Sequence, residues 1–195
     1  MNSIASQIFK YRSYTPLPFL VLMIIFQQPS IATIVSGFIL VLTGESFRLW
    51  GVIYAGSETR TTGDVGGTYL VISGAFGHVR NPLYFGNILI YLGVGIMSWA
   101  LFPYLQIAAL LFFLFQYHLI IKEEEGYLEK TFGEEYLTYK KKVPRLIPSP
   151  VKYKSSKVEQ PPLNLAAGLR SEKRTLQAIA VVTIIIVATY LARTL

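Results

Sequence analysis

The sequence predicts an all-α fold, an integral-membrane helical bundle with about five transmembrane helices, and three observations carry that reading. Of 195 residues, 52% are hydrophobic and only 15% are charged, whereas a soluble domain carries about a quarter charged residues. From Leu83 to Ile121 the chain contains no Asp, Glu, Lys or Arg. Two polar motifs bracket that apolar hairpin: His78-Val79-Arg80-Asn81-Pro82-Leu83-Tyr84-Phe85-Gly86 before it, and Lys122-Glu123-Glu124-Glu125 with Phe132-Gly133-Glu134-Glu135-Tyr136 after it. Two crossings joined by a tight turn place both motifs on one side of a bilayer, as a surface site assembled from two distant segments requires.

Taken in order, the expected crossings are Pro16–Gln28 (short), Ile31–Ile53, Leu83–Ala100, Leu101–Ile121 and Leu176–Ala192, set against the roughly 20 residues that a bilayer core demands. The first needs tilt, or a contribution from Arg12-Ser13-Tyr14. No small-residue cleavage site follows it and further crossings come after, so cleavage as a secretory signal is not expected. Lys10 and Arg12 precede the first crossing, Arg60 and Arg80 follow the second, and a basic set from Lys122 to Arg174 follows the fourth, while the turns at Gln27–Ser30 and Ser98–Tyr104 are uncharged. The excess of basic residues on the inner side of membrane proteins then puts the N-terminus, the 54–82 loop and the 122–175 segment in the cytoplasm.

The domain reading is a membrane core over 1–148, a cytoplasmic linker over 149–175 and a C-terminal transmembrane helix over 176–195. The linker assignment rests on Pro148-Ser149-Pro150, Lys152, Lys154, Ser155-Ser156 and Pro161-Pro162, a composition for a mobile segment or one lying on the headgroups. The net charge of +7 calls for no nucleic-acid partner, since basic residues beside crossings attract anionic headgroups. The absence of cysteine excludes disulfides and thiolate catalysis, and no cluster of metal-ligand type stands out.

Polar residues within crossings need their own explanation, because they are costly in lipid and usually face a cavity. Tyr84, Asn87, Tyr91 and Ser98 form one stripe down the third crossing, open to helix–helix hydrogen bonding or to a ligand. Gly86 and Gly93, a heptad apart, predict a face of close approach. Glu45 and Arg48, three residues apart, form either an internal ion pair joining helices or part of a substrate site. On helical geometry Glu124 shares a face with Tyr117, Ile121 and Leu128, and Glu125 with His118 and Lys122. At most two of the three consecutive acids therefore face a site. Phe132-Gly133 predicts a helix end, and Glu134–Lys142 a short amphipathic helix on the membrane. Val143-Pro144-Arg145-Leu146-Ile147-Pro148 is expected to return as an extended strap.

Over roughly Thr43 to Pro148 the chain resembles the superfamily of isoprenylcysteine carboxyl methyltransferases and phospholipid methyltransferases, integral-membrane enzymes that use S-adenosylmethionine. The motifs that carry the resemblance are Gly44-Glu45-x-x-Arg48 with Ala55-Gly56-Ser57, Thr68-Tyr69-Leu70-Val71-x-Ser73-Gly74-x-Phe76, Arg80-Asn81-Pro82-x-Tyr84-x-Gly86, Glu123-Glu124-Glu125, Phe132-Gly133-Glu134-Glu135-Tyr136 and Val143-Pro144, in that order. The resemblance implies a cytoplasmic S-adenosylmethionine site formed by the 54–82 loop and the segment after the fourth crossing. In it Thr68, Tyr69, Leu70, Val71 and Phe76 line the adenosine side. Arg80, Asn81, Pro82 and Tyr84 form the loop over the remainder, and Glu124 anchors the cofactor's cationic end.

Two positions depart from the superfamily pattern. Asn81 stands where a His is common, and it cannot titrate. Ile120 stands where carboxyl methyltransferases of prenylated cysteine place a substrate-binding Arg, and an aliphatic side chain cannot clamp a carboxylate. The implied substrate is a lipophilic small molecule or lipidated acceptor entering from the bilayer: a prenylcysteine-like carboxylate, a phospholipid amine or another lipid. Glu45, Arg48 and His118 are the candidate catalytic residues. A carboxylate acceptor needs no base; for an amine or hydroxyl, His78 and His118 are the only histidines. The rival classes are an NADPH-dependent membrane reductase of the related sterol-reductase type and a non-catalytic lipid-binding protein.

Overall fold

The computed structural model describes residues 3–56 and 69–194. Among them are helices α1 (Ser3–Tyr11), α2 (Leu17–Ile25), α3 (Ile31–Ala55), α4 (Pro82–Ser98), α5 (Tyr104–Lys142) and α6 (Leu165–Thr194), with a short 3-10 turn at Gly74–Gly77. There is no strand among the described residues, so the all-α reading holds. Among the described residues three helices are long and apolar enough to cross a membrane: α3, α5 and α6. The stretches expected as the first and third crossings form shorter helices, α2 of 9 residues and α4 of 17. At 1.5 Å per residue, α4 rises about 25 Å, just under a hydrocarbon core of ~30 Å.

The helix boundaries follow from local chemistry. Prolines open α2 and α4, where a missing N–H costs nothing. Ser30 starts α3 through a reciprocal cap: its Oγ accepts from the Thr33 amide at 3.2 Å, and Thr33 Oγ1 accepts from the Ser30 amide at 2.9 Å. Asn164 caps α6 by accepting from the Ala167 amide at 2.9 Å. Gly133 interrupts α5 with φ 51 and ψ −126, a conformation that side chains disfavour. The helix end expected at Phe132-Gly133 is therefore present, and Glu134–Lys142 resumes as a separate helical stretch.

The chain divides into two units. The first comprises 1–45, 87–120 and 174–195. Its core gathers Met23, Val41, Ile90, Val94, Met97, Leu105 and Ile186. The close approach predicted at Gly93 is real: a Cβ there would lie 2.6 Å from the Gly37 carbonyl oxygen of α3. Ser98, by contrast, spends its hydroxyl on the Gly95 carbonyl of its own helix at 3.0 Å. At the turn end of this unit the Gln28 amide donates to Ser98 O (2.8 Å) and Arg193 Nη1 to Gln27 O (2.7 Å), so these backbone groups of the uncharged turns are satisfied within the protein. Val35, Ile39, Leu111, Phe115, Val181 and Ile184 are large, apolar and exposed on α3, α5 and α6, a surface suited to lipid rather than water.

The second unit comprises 46–86 and 121–173. Its core is Leu70, Ile72, Tyr136, Tyr139 and Val143, flanked by Leu128, Phe132, Tyr153 and Val158. Of the expected 149–175 linker, residues 149–164 form no helix, whereas α6 already begins at Leu165; the non-helical part is fastened to the rest of the unit. The Ser149 amide donates to His78 O and the Tyr153 amide to Gly77 O, both at 2.8 Å, and the Asn164 amide donates to Ile53 O at 3.3 Å. Proline and serine content reports the absence of helix; it does not report these single anchoring bonds.

Candidate functional site

The second unit brings the two motif segments together. The Tyr84 hydroxyl, in the first turn of α4, donates to Glu124 Oε1 at 2.7 Å, across 40 residues of sequence. Both side chains are half-buried, so the pair remains within reach of a bound molecule. One residue further along α5, Glu125 is buried and meets Arg80: Nε and Nη2 donate to Oε1 at 3.0 and 2.9 Å. Arg145 Nε also lies 3.5 Å from Glu125 Oε1, and Lys140 Nζ lies 3.9 Å from Oε2. Lys140 pairs as well with Glu129. Of the three acids, Glu124 and Glu125 thus turn inward, as the helical spacing permits.

Arg80 does more than neutralise Glu125. Its Nη1 donates to the carbonyls of Lys140 (2.9 Å) and Val143 (2.5 Å), and its amide donates to Pro144 O at 2.9 Å. The guanidinium therefore closes the C-terminal end of α5, where unsatisfied carbonyls and the helix dipole favour a cation. These four side-chain donations tie Arg80 into the fold and shape the loop. Asn81 has a comparable duty, donating from Nδ2 to Arg145 O at 2.9 Å. A neutral amide suits that bond at any pH. Pro82 is buried against Gly51 of α3, where a Cβ would sit 3.3 Å from Pro82 Cγ and 2.8 Å from Leu83 Cδ1.

The segment from Tyr69 alternates as extended chain does. Leu70 and Ile72 point into the unit's core, while Tyr69 and Val71 are half-buried on the other side. The Leu70 side chain, expected in the adenosine wall, is therefore part of this core. Gly74 follows with φ +58, and a Cβ there would fall 2.3 Å from the Tyr54 ring, so both conformation and space demand glycine. Phe76 is half-buried, and its carbonyl accepts from the Tyr139 hydroxyl at 2.8 Å. Thr68, like Ser57, Arg60 and the glycines at 63, 66 and 67, lies outside the described residues.

Burial raises the pKa of the Tyr139 phenol, with Tyr136 adding to the effect. Burial likewise raises that of Tyr136, with the Glu125 charge adding to it. The Tyr136 hydroxyl is buried and has no hydrogen-bond partner among the described residues.

The candidate catalytic residues fall in different places. Arg48, buried on α3, donates from Nε and Nη2 to Glu172 Oε2 of α6 at 3.2 and 2.5 Å. Its ion-pair partner thus includes a residue 124 positions away, and Glu172 is fully buried. Glu45 is buried and His118 is exposed, and both belong to the first unit, as does the buried Ile120. His78 sits in the second unit with Nδ1 2.8 Å from Ser149 O. A carbonyl only accepts, so Nδ1 carries the proton and Nε2 is the basic nitrogen. No group of three or more metal-binding side chains is found among the described residues.

Sequence reasoning missed Glu172 and Gln160. Only two acids, Glu159 and Glu172, follow Glu135; an isolated acid in a basic segment was the available signal. Gln160 carried none.

Comparison with known families gives a match to the phospholipid methyltransferase family over residues 32–135, more than half of the chain. The chain belongs to that family. With three apolar helices of spanning length among the described residues, it is a membrane methyltransferase. The matched span contains Arg80, Tyr84, Glu124 and Glu125, the residues whose side chains join the two motif segments. No curated protein and no solved structure matches the chain.

Proposed function

We propose that this methyltransferase takes its methyl group from S-adenosylmethionine and transfers it to a lipophilic acceptor drawn from the bilayer. The observation that carries the reading is the Tyr84–Glu124 contact at 2.7 Å. It puts a half-buried carboxylate beside the loop that the superfamily resemblance assigns to the cofactor. The donor set suits that molecule: a carboxylate for an ammonium group, and the half-buried Tyr69, Val71 and Phe76 for an adenine. When bound, the cofactor supplies a methyl group activated by a positive sulfur.

In this reading the protein's own residues bind and orient. Glu124 holds the cationic end, and Tyr84 fixes the carboxylate's rotamer by donating to one oxygen. Arg80 and Asn81 hold the loop through α5 and the strap. Orientation of two bound reactants is worth about 7–11 kcal/mol of barrier. An amine or hydroxyl acceptor would surrender its proton to a base, for which His78 Nε2 is the candidate within the second unit. Basic residues on both motif segments favour the cytoplasmic face for the site, with a multi-pass arrangement around it.

Thermal stabilisation in detergent by S-adenosylhomocysteine, and not by NADPH, is the expected result and separates this reading from a reductase. Stabilisation by NADPH alone would replace the methyl donor with a nicotinamide.

A further inference from the structure

The 149–160 part of the linker, beyond the family match, runs antiparallel to the loop it covers. Ser149 bonds His78 and Tyr153 bonds Gly77; Gln160 reaches the start of the loop. Gln160 Oε1 accepts from the amides of Ile72 (2.9 Å) and Ser73 (3.1 Å), and Nε2 donates to Leu70 O at 2.9 Å. One side-chain amide thereby satisfies three backbone groups of an extended segment that has no neighbouring strand among the described residues. Leu70 and Ile72 are buried, so those groups have little access to water, and buried backbone groups must find partners. Gln160 occupies the place that an adjacent β-strand would take. The side chains that alternate with Leu70 and Ile72 are Tyr69 and Val71, the wall given above to the adenosine end.

We infer that Gln160 is a positioning residue that sets cofactor affinity by fixing the backbone of the Leu70–Ser73 wall. The inference rests on the proposed cofactor reading and adds to it a determinant outside residues 32–135. Gln160 touches no ligand in this account; it acts through the backbone that aims Tyr69 and Val71. Gln160→Met keeps the length and loses all three bonds. Gln160→Glu keeps an acceptor for both amides and loses the Nε2 donations to the carbonyls of Leu70, Val158 and Glu159.

The test measures S-adenosylhomocysteine binding by calorimetry on the full chain in detergent, with amide hydrogen exchange and melting of each variant. For wild type, measurable binding and slow exchange at Ile72 and Ser73 are expected. Q160M should bind about tenfold or more weakly, with faster exchange confined to 70–73, and Q160E should fall between the two. That graded rescue distinguishes positioning from a general loss of stability, which would speed exchange throughout. Should Q160M not fold, Q160E carries the test with an expected loss of about threefold. Wild-type affinity in the folded variants would overturn the role of Gln160 while leaving the cofactor reading intact. Absence of binding by wild type itself would remove the cofactor reading and the inference with it.

Discussion

Arg80 and the buried Glu125, 45 residues apart, form a pair in which both guanidinium Nε and Nη2 reach one carboxylate oxygen. Immediately beside it, Tyr84 and Glu124 form a more accessible contact. The helix turn thus gives successive acids different work: one ties the fold together, and the next faces the proposed ligand.

Removing one member of the Arg80–Glu125 pair leaves the other charge buried, and such changes cost about 3–5 kcal/mol. Arg80→Ala also orphans the carbonyls of Lys140 and Val143. Denaturation in detergent should show Arg80→Ala as the more destabilising, with Glu125→Gln next. Arg80→Lys should recover little, because an ammonium lacks the planar fork. If Arg80→Ala kept wild-type stability and lost only cofactor binding, Arg80 would be a ligand contact and not the clasp of the α5 end.

Arg48 and Glu172 fasten the start of α6 to α3, and Glu172 is fully buried. Glu172→Gln should destabilise by about 3–5 kcal/mol, whereas replacing both residues with apolar side chains of similar volume should cost much less. A double-mutant cycle on unfolding free energy measures this coupling. Activity in the apolar double variant would confirm Arg48 as structural; loss of activity with stability retained would return it to the substrate.

The long apolar helices α3, α5 and α6 and the break at Gly133 were legible because they depend on local composition: apolar runs and a glycine after an aromatic. Close packing at Gly93 was legible from a heptad spacing. The partnership of Arg48 with Glu172 was not, since Glu45 stood three residues away and the second acid 124 residues away. Nor did the loop motif disclose how Arg80 is used. A motif position shows that a cation is needed, while the carbonyls of Lys140 and Val143 become neighbours only when α5 ends beside the loop. The linker's composition concealed Gln160, one polar residue among several serines, lysines and prolines.

Tyr136 and Tyr139 neighbour each other but should respond oppositely to loss of the hydroxyl. Tyr139→Phe removes the bond to Phe76 O and should destabilise by about 1–2 kcal/mol. Tyr136→Phe removes a buried hydroxyl without a partner and should be neutral or stabilising by about 1 kcal/mol. Unfolding measurements on the two variants decide this. A large loss in Tyr136→Phe would reveal a bonded water or ligand at that hydroxyl.

Burial raises both phenol pKa values above the ordinary 10.0. The unfolded chain then loses these protons first as pH rises, so the stability they contribute is whole below pH 10 and declines above it. Melting temperature should be insensitive to these groups near neutrality and fall in alkali, less steeply in the Tyr136→Phe/Tyr139→Phe double variant. An equally steep alkaline fall in that variant would assign the effect to other groups.

The most direct test of the central claim is calorimetric binding of S-adenosylhomocysteine to the wild-type chain and to Glu124→Gln, each shown folded by its melting profile. Wild type should bind, and Glu124→Gln should lose at least about tenfold in affinity, the worth of a charged hydrogen bond, with stability unchanged. Equal affinity in the two proteins would contradict the assignment of Glu124 as the cofactor's anchor.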